Sequence, residues 1–169
     1  VNKHNNIYLD VVGLSKSEFI KDYPKLRNKC LSIDNRITFY GRLSHEMVLE
    51  MVKSANYTIF FRENSNMNKA GFPTKFVESI SCGTPVITTN TSDLEKYLIE
   101  DYNGYFVDIN SDNNIEEVLC GAISKNISKS ALMKNNCYND IRFDYKEYIK
   151  DFSIFLEKIF CDNGKKNYG

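Results

Sequence analysis

The sequence predicts an α/β fold, a parallel sheet with helices on both faces. Short apolar runs, rich in β-branched and aromatic residues, alternate along the chain with segments whose apolar residues recur at helical spacing. Two of the runs close on glycine, at Gly13 and Gly41. Residues 71–87 then condense one unit of this alternation into a loop, a short helix, a tight stop and a buried strand.

In chain order, residues 7–13 form a mostly apolar strand. Ser15 caps a helix with Phe19, Ile20 and Tyr23 inward, and Pro24 ends it. Residues 25–35 are polar and read as a loop, and residues 36–41 as the second strand. Ser44 caps a helix whose apolar positions are Met47, Val48, Met51, Val52 and Ala55. Residues 57–61 are the third strand, and the asparagine-rich stretch 62–70 a loop.

Pro73 suits the first turn of the next helix, where its missing N–H costs nothing, and Thr74 is a capping residue type. Phe76, Val77 and Ile80 are its inward candidates. Gly83 supplies a left-handed stop and Pro85 forbids continuation before the strand 86–89. A helix of about nine residues is marginal in water and needs tertiary support. A short helix over 93–98, started and charged by Asp93 and Glu95, and a strand over 104–107 follow. Helices are expected over 114–125, 128–140 and 144–160. The last carries an apolar stripe that includes Tyr148, Phe152, Phe155 and Ile159, opposite a face of mixed charge. That mixture argues against a membrane-surface helix, which favours a basic face, and for packing on this or a partner domain.

One domain is expected, over residues 1–160, with 161–169 a disordered polar tail. The 22 basic and 22 acidic residues cancel, which removes the long-range field that nucleic acid or an anionic membrane would require as main partner. Scattered aromatics likewise make no stacking platform for nucleic acid. Five widely spaced cysteines without a C-x-x-C pair favour reduced cytosolic thiols. No apolar run of about eighteen residues and no signal peptide is present, so nothing is expected to span a bilayer. His4 and His45 have no partner at metal-ligand spacing, and no metal site is expected. Cys82, near a helix C-terminus, reads as a small buried hydrophobe. The chain opens on Val1 and runs almost directly into a strand, the pattern expected of a piece cut from something longer.

Ligands of open parallel sheets bind at the carboxyl ends of the strands. The loops there carry Gly13, then Gly41, Arg42 and Leu43, then the stretch from Arg62 to Thr74, then residues 89–93. The N-terminus of the helix at 73–75 offers free N–H groups and a positive dipole end to an anion, and Lys75 adds a full charge. Arg62 follows a strand and reads either as a phosphate or sugar contact or as a surface arginine. Glu78 lies about 6 Å further along the helix, by its rise per residue. It can hold ribose hydroxyls or simply complement the dipole, since a capping box from Thr74 would need its acid at Val77.

The run Glu78-Ser79-Ile80-Ser81-Cys82-Gly83-Thr84-Pro85-Val86-Ile87 closely resembles the donor-site signature of the retaining GT-B glycosyltransferases of family four, the "glycosyl transferases group 1". The resemblance extends from Tyr8 to Val107 and is specific in this motif. It implies the C-terminal, Rossmann-like half of a two-domain enzyme of hexosyltransferase type, which moves a sugar from a nucleotide-sugar to an acceptor with retention. The acceptor, a saccharide or lipid-linked glycan, would be met through an N-terminal domain upstream, in polysaccharide or glycoconjugate assembly. The location implied is cytoplasmic, peripheral to the inner face of the membrane through that domain, and this piece alone is expected to be inactive.

For the site, the resemblance implies that Glu78 binds ribose and that backbone amides around Gly71, Phe72 and Thr74 hold the diphosphate or sugar. Arg42 and Leu43 would lie near the base; Lys75 and Arg62 join the donor-binding set on the residue reading given above, and no catalytic residue is assigned. Neither cofactor nor divalent metal is implied, because helix dipole and basic groups stabilise the leaving diphosphate. Two features depart from the pattern. The first glutamate of the family's E-x(7)-E falls at Ala70, so either Glu63, Asn68 or Lys69 substitutes or this subgroup binds its sugar differently. The family's G-R and K pair would precede Val1, together with the first strand and helix of the sheet. The alternative from another class is a non-catalytic nucleotide-binding or interaction module of the same fold. A dinucleotide oxidoreductase is disfavoured, since no G-x-G-x-x-G follows any strand.

Overall fold

The computed structural model describes residues 7–32, 34–124 and 127–164. The chain forms two compact units, Val1–Met51 and Val52–Gly169.

In the first unit, β1 (Leu9–Val12) pairs in parallel with β2 (Ile37–Gly41), Leu9 opposite Ile37 and Val11 opposite Phe39. Each strand turns on a glycine with positive φ, +91° at Gly13 and +65° at Gly41, a conformation that other residues enter only with strain. The Gly13 N–H donates to the Gly41 carbonyl over 2.6 Å, so the two strand ends are fastened together. Helix α1 (Lys16–Asp22) starts on a capping box, Ser15 Oγ accepting from the Glu18 amide and Glu18 Oε2 accepting from the Ser15 amide. Phe19 packs on Phe39 of β2 with ring centroids 5.2 Å apart.

The stretch read as a loop from 25 to 35 is instead α2 (Arg27–Ser32), flanked by the 3-10 turns Pro24–Leu26 and Asp34–Arg36. Its arginine, lysine and leucine are good helix formers, and its one buried side chain, Cys30, is too little for an amphipathic pattern to show. Helix α3 (His45–Ser54) follows with Ser44 as its cap, the Met47 amide donating to Ser44 Oγ.

In the second unit, β3 (Thr58–Phe60), β4 (Val86–Thr89) and β5 (Gly104–Val107) form a parallel sheet in that order. Thr58 stands opposite Val86, and Val86 opposite Gly104. All strands are parallel, as the alternation predicts, but the ladders among the described residues make two sheets rather than one. Central β4 is buried along its whole length. Its residues alternate between faces, so Val86 joins a cluster with Phe76, Ile80, Leu94, Leu98 and Cys137, while Ile87 joins another with Val107 and Ala122.

The helices of this unit are α4 (Asn66–Ala70), α5 (Thr74–Ser81), α6 (Asp112–Ile123), α7 (Ile127–Tyr138) and α8 (Ile149–Gly164). Helix α4 lies where the sequence reads only loop: Ser65 caps it by accepting from the Asn68 amide, but five residues are too few for periodicity to register. Residues 93–98 hold a single 3-10 turn, Leu94–Lys96, and the Asp93 carboxylate makes an exposed ion pair with Lys96 at 3.0 Å rather than capping it. Cys82 is half-buried rather than buried, the C-cap of α5. A 3-10 turn, Tyr145–Tyr148, precedes α8, which runs to Gly164, beyond the expected end at 160; residues 165–169 of the expected tail lie outside those described. The apolar stripe of α8 is largely uncovered, with Phe152 60% and Phe155 54% exposed.

Candidate functional site

The carboxyl ends of β3 and β4 are tied by one residue pair. The Arg62 amide donates to Thr89 Oγ1 over 2.9 Å, and the Thr89 hydroxyl donates back to the Arg62 carbonyl over 2.7 Å. Thr89 is buried, so both backbone groups of Arg62 are satisfied without water. The Arg62 guanidinium then reaches across the loop, Nη1 donating to the Gly71 carbonyl at 2.8 Å and Nη2 to Asn68 Oδ1 at 3.1 Å. Asn68 Nδ2 donates in turn to the Glu63 carbonyl at 2.9 Å. The loop that delivers the chain to α5 is thus a closed hydrogen-bonded ring rather than a free tether.

Beyond Gly71 the Phe72 ring turns inward against Tyr97, at a centroid distance of 5.1 Å, and against Phe76 at 6.1 Å. Pro73 is buried and occupies the N-cap position, and Thr74 is the first helical residue instead of the cap the sequence suggests. No side chain caps α5. Among the described residues the backbone N–H groups of Phe72, Thr74 and Lys75 have no hydrogen-bond partner, and Pro73 has no N–H to offer. Three unspent donors at the positive end of a helix make an anion-binding corner. Phe76 and Ile80 are fully buried beneath it, and Val77 is half-buried. Burial of two large side chains is worth about 1.5–3 kcal/mol each and holds a helix too short to stand alone.

Glu78 is half-buried one turn further, and among the described residues its carboxylate has no hydrogen bond or ion pair. Thr74 and Lys75 are exposed. The second unit therefore gathers Arg62, Gly71, Phe72, Thr74, Lys75 and Glu78 at one corner. Arg42, exposed, and Leu43, half-buried, belong to the first unit, on the turn that follows Gly41 of β2.

Of the three residues offered as substitutes for an acid at position 70, Asn68 is spent on Arg62 and Glu63, while Glu63 and Lys69 are exposed. Sequence reasoning placed Thr89 in the loop 89–93 at the carboxyl end of a strand but gave it no role of its own. It missed Phe143, whose ring lies 6.3 Å from that of Phe72 and which no local pattern connects to it. His4 lies outside the described residues, and His45 is exposed at the start of α3. Among the described residues no group of three or more His, Cys, Asp or Glu side chains is placed to hold a metal ion. No helix of the described residues is long and apolar enough to cross a membrane.

The fold is that of an α/β protein of the Rossmann-like kind, with the candidate site at the carboxyl edge of a parallel sheet. The chain belongs to the family of glycosyl transferases group 1, whose model matches residues 1–140, and it has the GT-B fold. It is 27% identical over 158 residues to an uncharacterized glycosyltransferase of Methanocaldococcus jannaschii, covering 90% of this chain and 37% of that protein. Among solved structures it resembles the C-terminal domain of a glycosyl transferase group 1 family protein from Francisella tularensis, with TM-score 0.67 and 19% identity, over 85% of this chain and 72% of that one. It also resembles HepE of Anabaena, solved in complex with UDP and glucose, with TM-score 0.68 and 16% identity, over 89% of this chain and 40% of that one. The chain thus spans well under half the length of the Methanocaldococcus relative and of HepE.

Proposed function

We propose that this chain is the donor-binding part of a glycosyltransferase that moves a sugar from a nucleotide-sugar to an acceptor with retention at the anomeric carbon. The observation that carries the reading is the α5 corner: three unspent amides at Phe72, Thr74 and Lys75, with the unpartnered Glu78 carboxylate one turn away. A diphosphate on the amides leaves the attached ribose about one helical turn along, where a carboxylate accepts from its hydroxyls. Family membership and the UDP bound by HepE support the same assignment.

In this reading Glu78 binds ribose, the amides around Gly71, Phe72 and Thr74 hold the diphosphate or sugar, and Lys75 and Arg62 supply positive charge. Arg42 and Leu43 serve the base. Charge developing on the leaving diphosphate is met by the α5 dipole and these cations, without a cofactor or divalent metal. The domain covers residues 1–160, and an N-terminal domain outside this chain brings the acceptor, a saccharide or lipid-linked glycan. The work is cytoplasmic, at the inner face of the membrane, in polysaccharide or glycoconjugate assembly, and residues 1–169 alone do not turn over.

Ala70 favours one second reading, a binding module without transfer, because an exposed alanine stands where the family signature has an acid. Incubating the whole protein with UDP-, GDP- and ADP-sugars and an acceptor preparation separates the two. Transfer with the donor's anomeric configuration is expected. Inversion would overturn retention, and binding without transfer or hydrolysis would establish the module.

A further inference from the structure

We propose that Phe143 is a positioning residue for the donor corner, acting through Phe72; the inference rests on the nucleotide reading above. Phe143 ends the 3-10 turn Ile141–Phe143 that follows α7, far along the chain from α5. Its ring meets three others, with centroids 5.3 Å from Tyr97, 5.9 Å from Phe76 and 6.3 Å from Phe72. Phe72 meets Tyr97 edge-on at 5.1 Å and Phe76 edge-on at 6.1 Å, so each ring of the group is held by the others.

The turn that presents Phe143 is itself fixed. Arg142 forms a two-pronged pair with Asp140, Nη2 to Oδ2 at 2.6 Å and Nε to Oδ1 at 2.8 Å, and its guanidinium lies over the Tyr97 ring at 5.7 Å. Nη2 also donates to the Tyr97 carbonyl at 2.9 Å. From the other side, the Tyr148 hydroxyl donates to the Arg142 carbonyl at 2.8 Å. Phe143 therefore enters the aromatic group from a turn with little freedom.

Phe72 is where this group meets the ligand corner. Its ring is committed inward while its own N–H is unspent, and Gly71, whose carbonyl Arg62 holds, precedes it. The Gly71–Phe72 peptide group is thus held by a guanidinium at its carbonyl and by the packed ring of the residue that carries its N–H. Removing Phe143 leaves a void beside both Phe72 and Phe76; Phe76 is held by its helix and full burial, so the Phe72 ring and then its backbone relax into it. The Phe72 amide, outside the helix, loses its direction relative to those of Thr74 and Lys75, while Glu78 keeps its place on α5. The diphosphate part of a nucleotide is weakened and the nucleoside part is not.

The test uses Phe143→Ala and Phe143→Leu in the whole protein, each shown folded by its urea transition, with UDP and uridine as probes. In ligand-free protein, Phe143→Ala is expected to shift the amide resonances of Phe72, Thr74 and Lys75 and leave in place those of α6, which packs on the other core cluster. It should raise the Kd for UDP about tenfold with the Kd for uridine unchanged, the size expected when one charge-assisted bond is lost. Phe143→Leu, which fills most of the space, should recover most of that loss; should the alanine variant not fold, the leucine variant carries the comparison with a smaller change in the same ratio. An unchanged UDP-to-uridine ratio together with unmoved corner resonances would overturn the proposal while leaving the nucleotide reading standing. Failure of the wild-type protein to bind UDP would overturn the nucleotide reading itself and Phe143's donor role with it.

Discussion

The Arg62 guanidinium donates from Nη1 to the Gly71 carbonyl over 2.8 Å and so closes the loop that leads into α5. A side chain that sequence alone reads as a ligand contact or a surface arginine is thereby a structural clasp at the edge of the anion corner. Its remaining N–H groups are not spent on these two bonds, so the clasp does not preclude the ligand contact proposed for it.

Arg62→Ala should cost about 1–2 kcal/mol in urea unfolding, the scale of hydrogen bonds from a charged donor discounted for partial exposure, and should weaken UDP binding at least tenfold. Arg62→Lys keeps the charge but not the fork that spans Gly71 and Asn68, and should recover stability less than half-way. Urea transitions and calorimetric titration on the two variants check both statements.

Thr89→Val keeps shape and removes the hydroxyl that serves both backbone groups of Arg62. Two part-buried backbone groups then lose their partner, and a loss of about 1–3 kcal/mol is expected. Thr89→Ser retains the hydroxyl and should lose about 1 kcal/mol or less, mainly the missing methyl. Equal losses in the two variants, measured by urea midpoint, would show that the hydroxyl contributes nothing.

Gly104→Ala should abolish the native fold or cost more than about 3 kcal/mol, because its Cβ would be driven into the Val86 carbonyl oxygen of the neighbouring strand. The obstacle is backbone of the central strand and cannot rotate away. Gly121→Ala is the control, since open space surrounds that position and alanine is the better helix former. Thermal unfolding of both proteins separates them.

The Arg142 guanidinium, by its hydrogen bonds above all, holds the Asp140 carboxyl below its ordinary value of 3.8, against the opposing effect of burial. A carboxylate with a depressed folded-state pKa contributes stability above its unfolded value and loses it as pH falls through the folded one. Wild-type protein should therefore exceed Asp140→Asn in stability by a constant margin from pH 5 to 8. The margin should shrink below about pH 4, the ordinary carboxylate range. Urea unfolding at a series of pH values reads this, and a margin that persists unchanged at pH 2 would contradict it.

The elements that the sequence announced are those whose signals are local. Gly83 and Pro85 bracket the α5-to-β4 junction, and β4 reads as apolar and β-branched because it is buried on both faces. Helices α2 and α4 escaped because they bury almost nothing and so carry no periodicity, although Ser65 does mark the start of α4. In the candidate site, the placing of Glu78, Lys75 and the Gly71–Thr74 stretch at a helix start was legible from local sequence chemistry, and the roles given them are those of the proposal. The ties that shape the site were not legible in this way. Arg62 to Gly71, Thr89 to Arg62 and Phe143 to Phe72 join residues separated along the chain, and no composition or spacing rule encodes such pairings.

The most direct measurement is a calorimetric titration of UDP into the wild-type protein and into Glu78→Ala, with the urea transition of each as a check on folding. Glu78 has no protein partner to lose among the described residues, so the substitution should leave stability within about 0.5 kcal/mol. Loss of hydrogen bonds from ribose hydroxyls to a carboxylate should weaken UDP by about 10- to 100-fold. Equal affinity in the two proteins, or no binding by the wild type, would contradict the account.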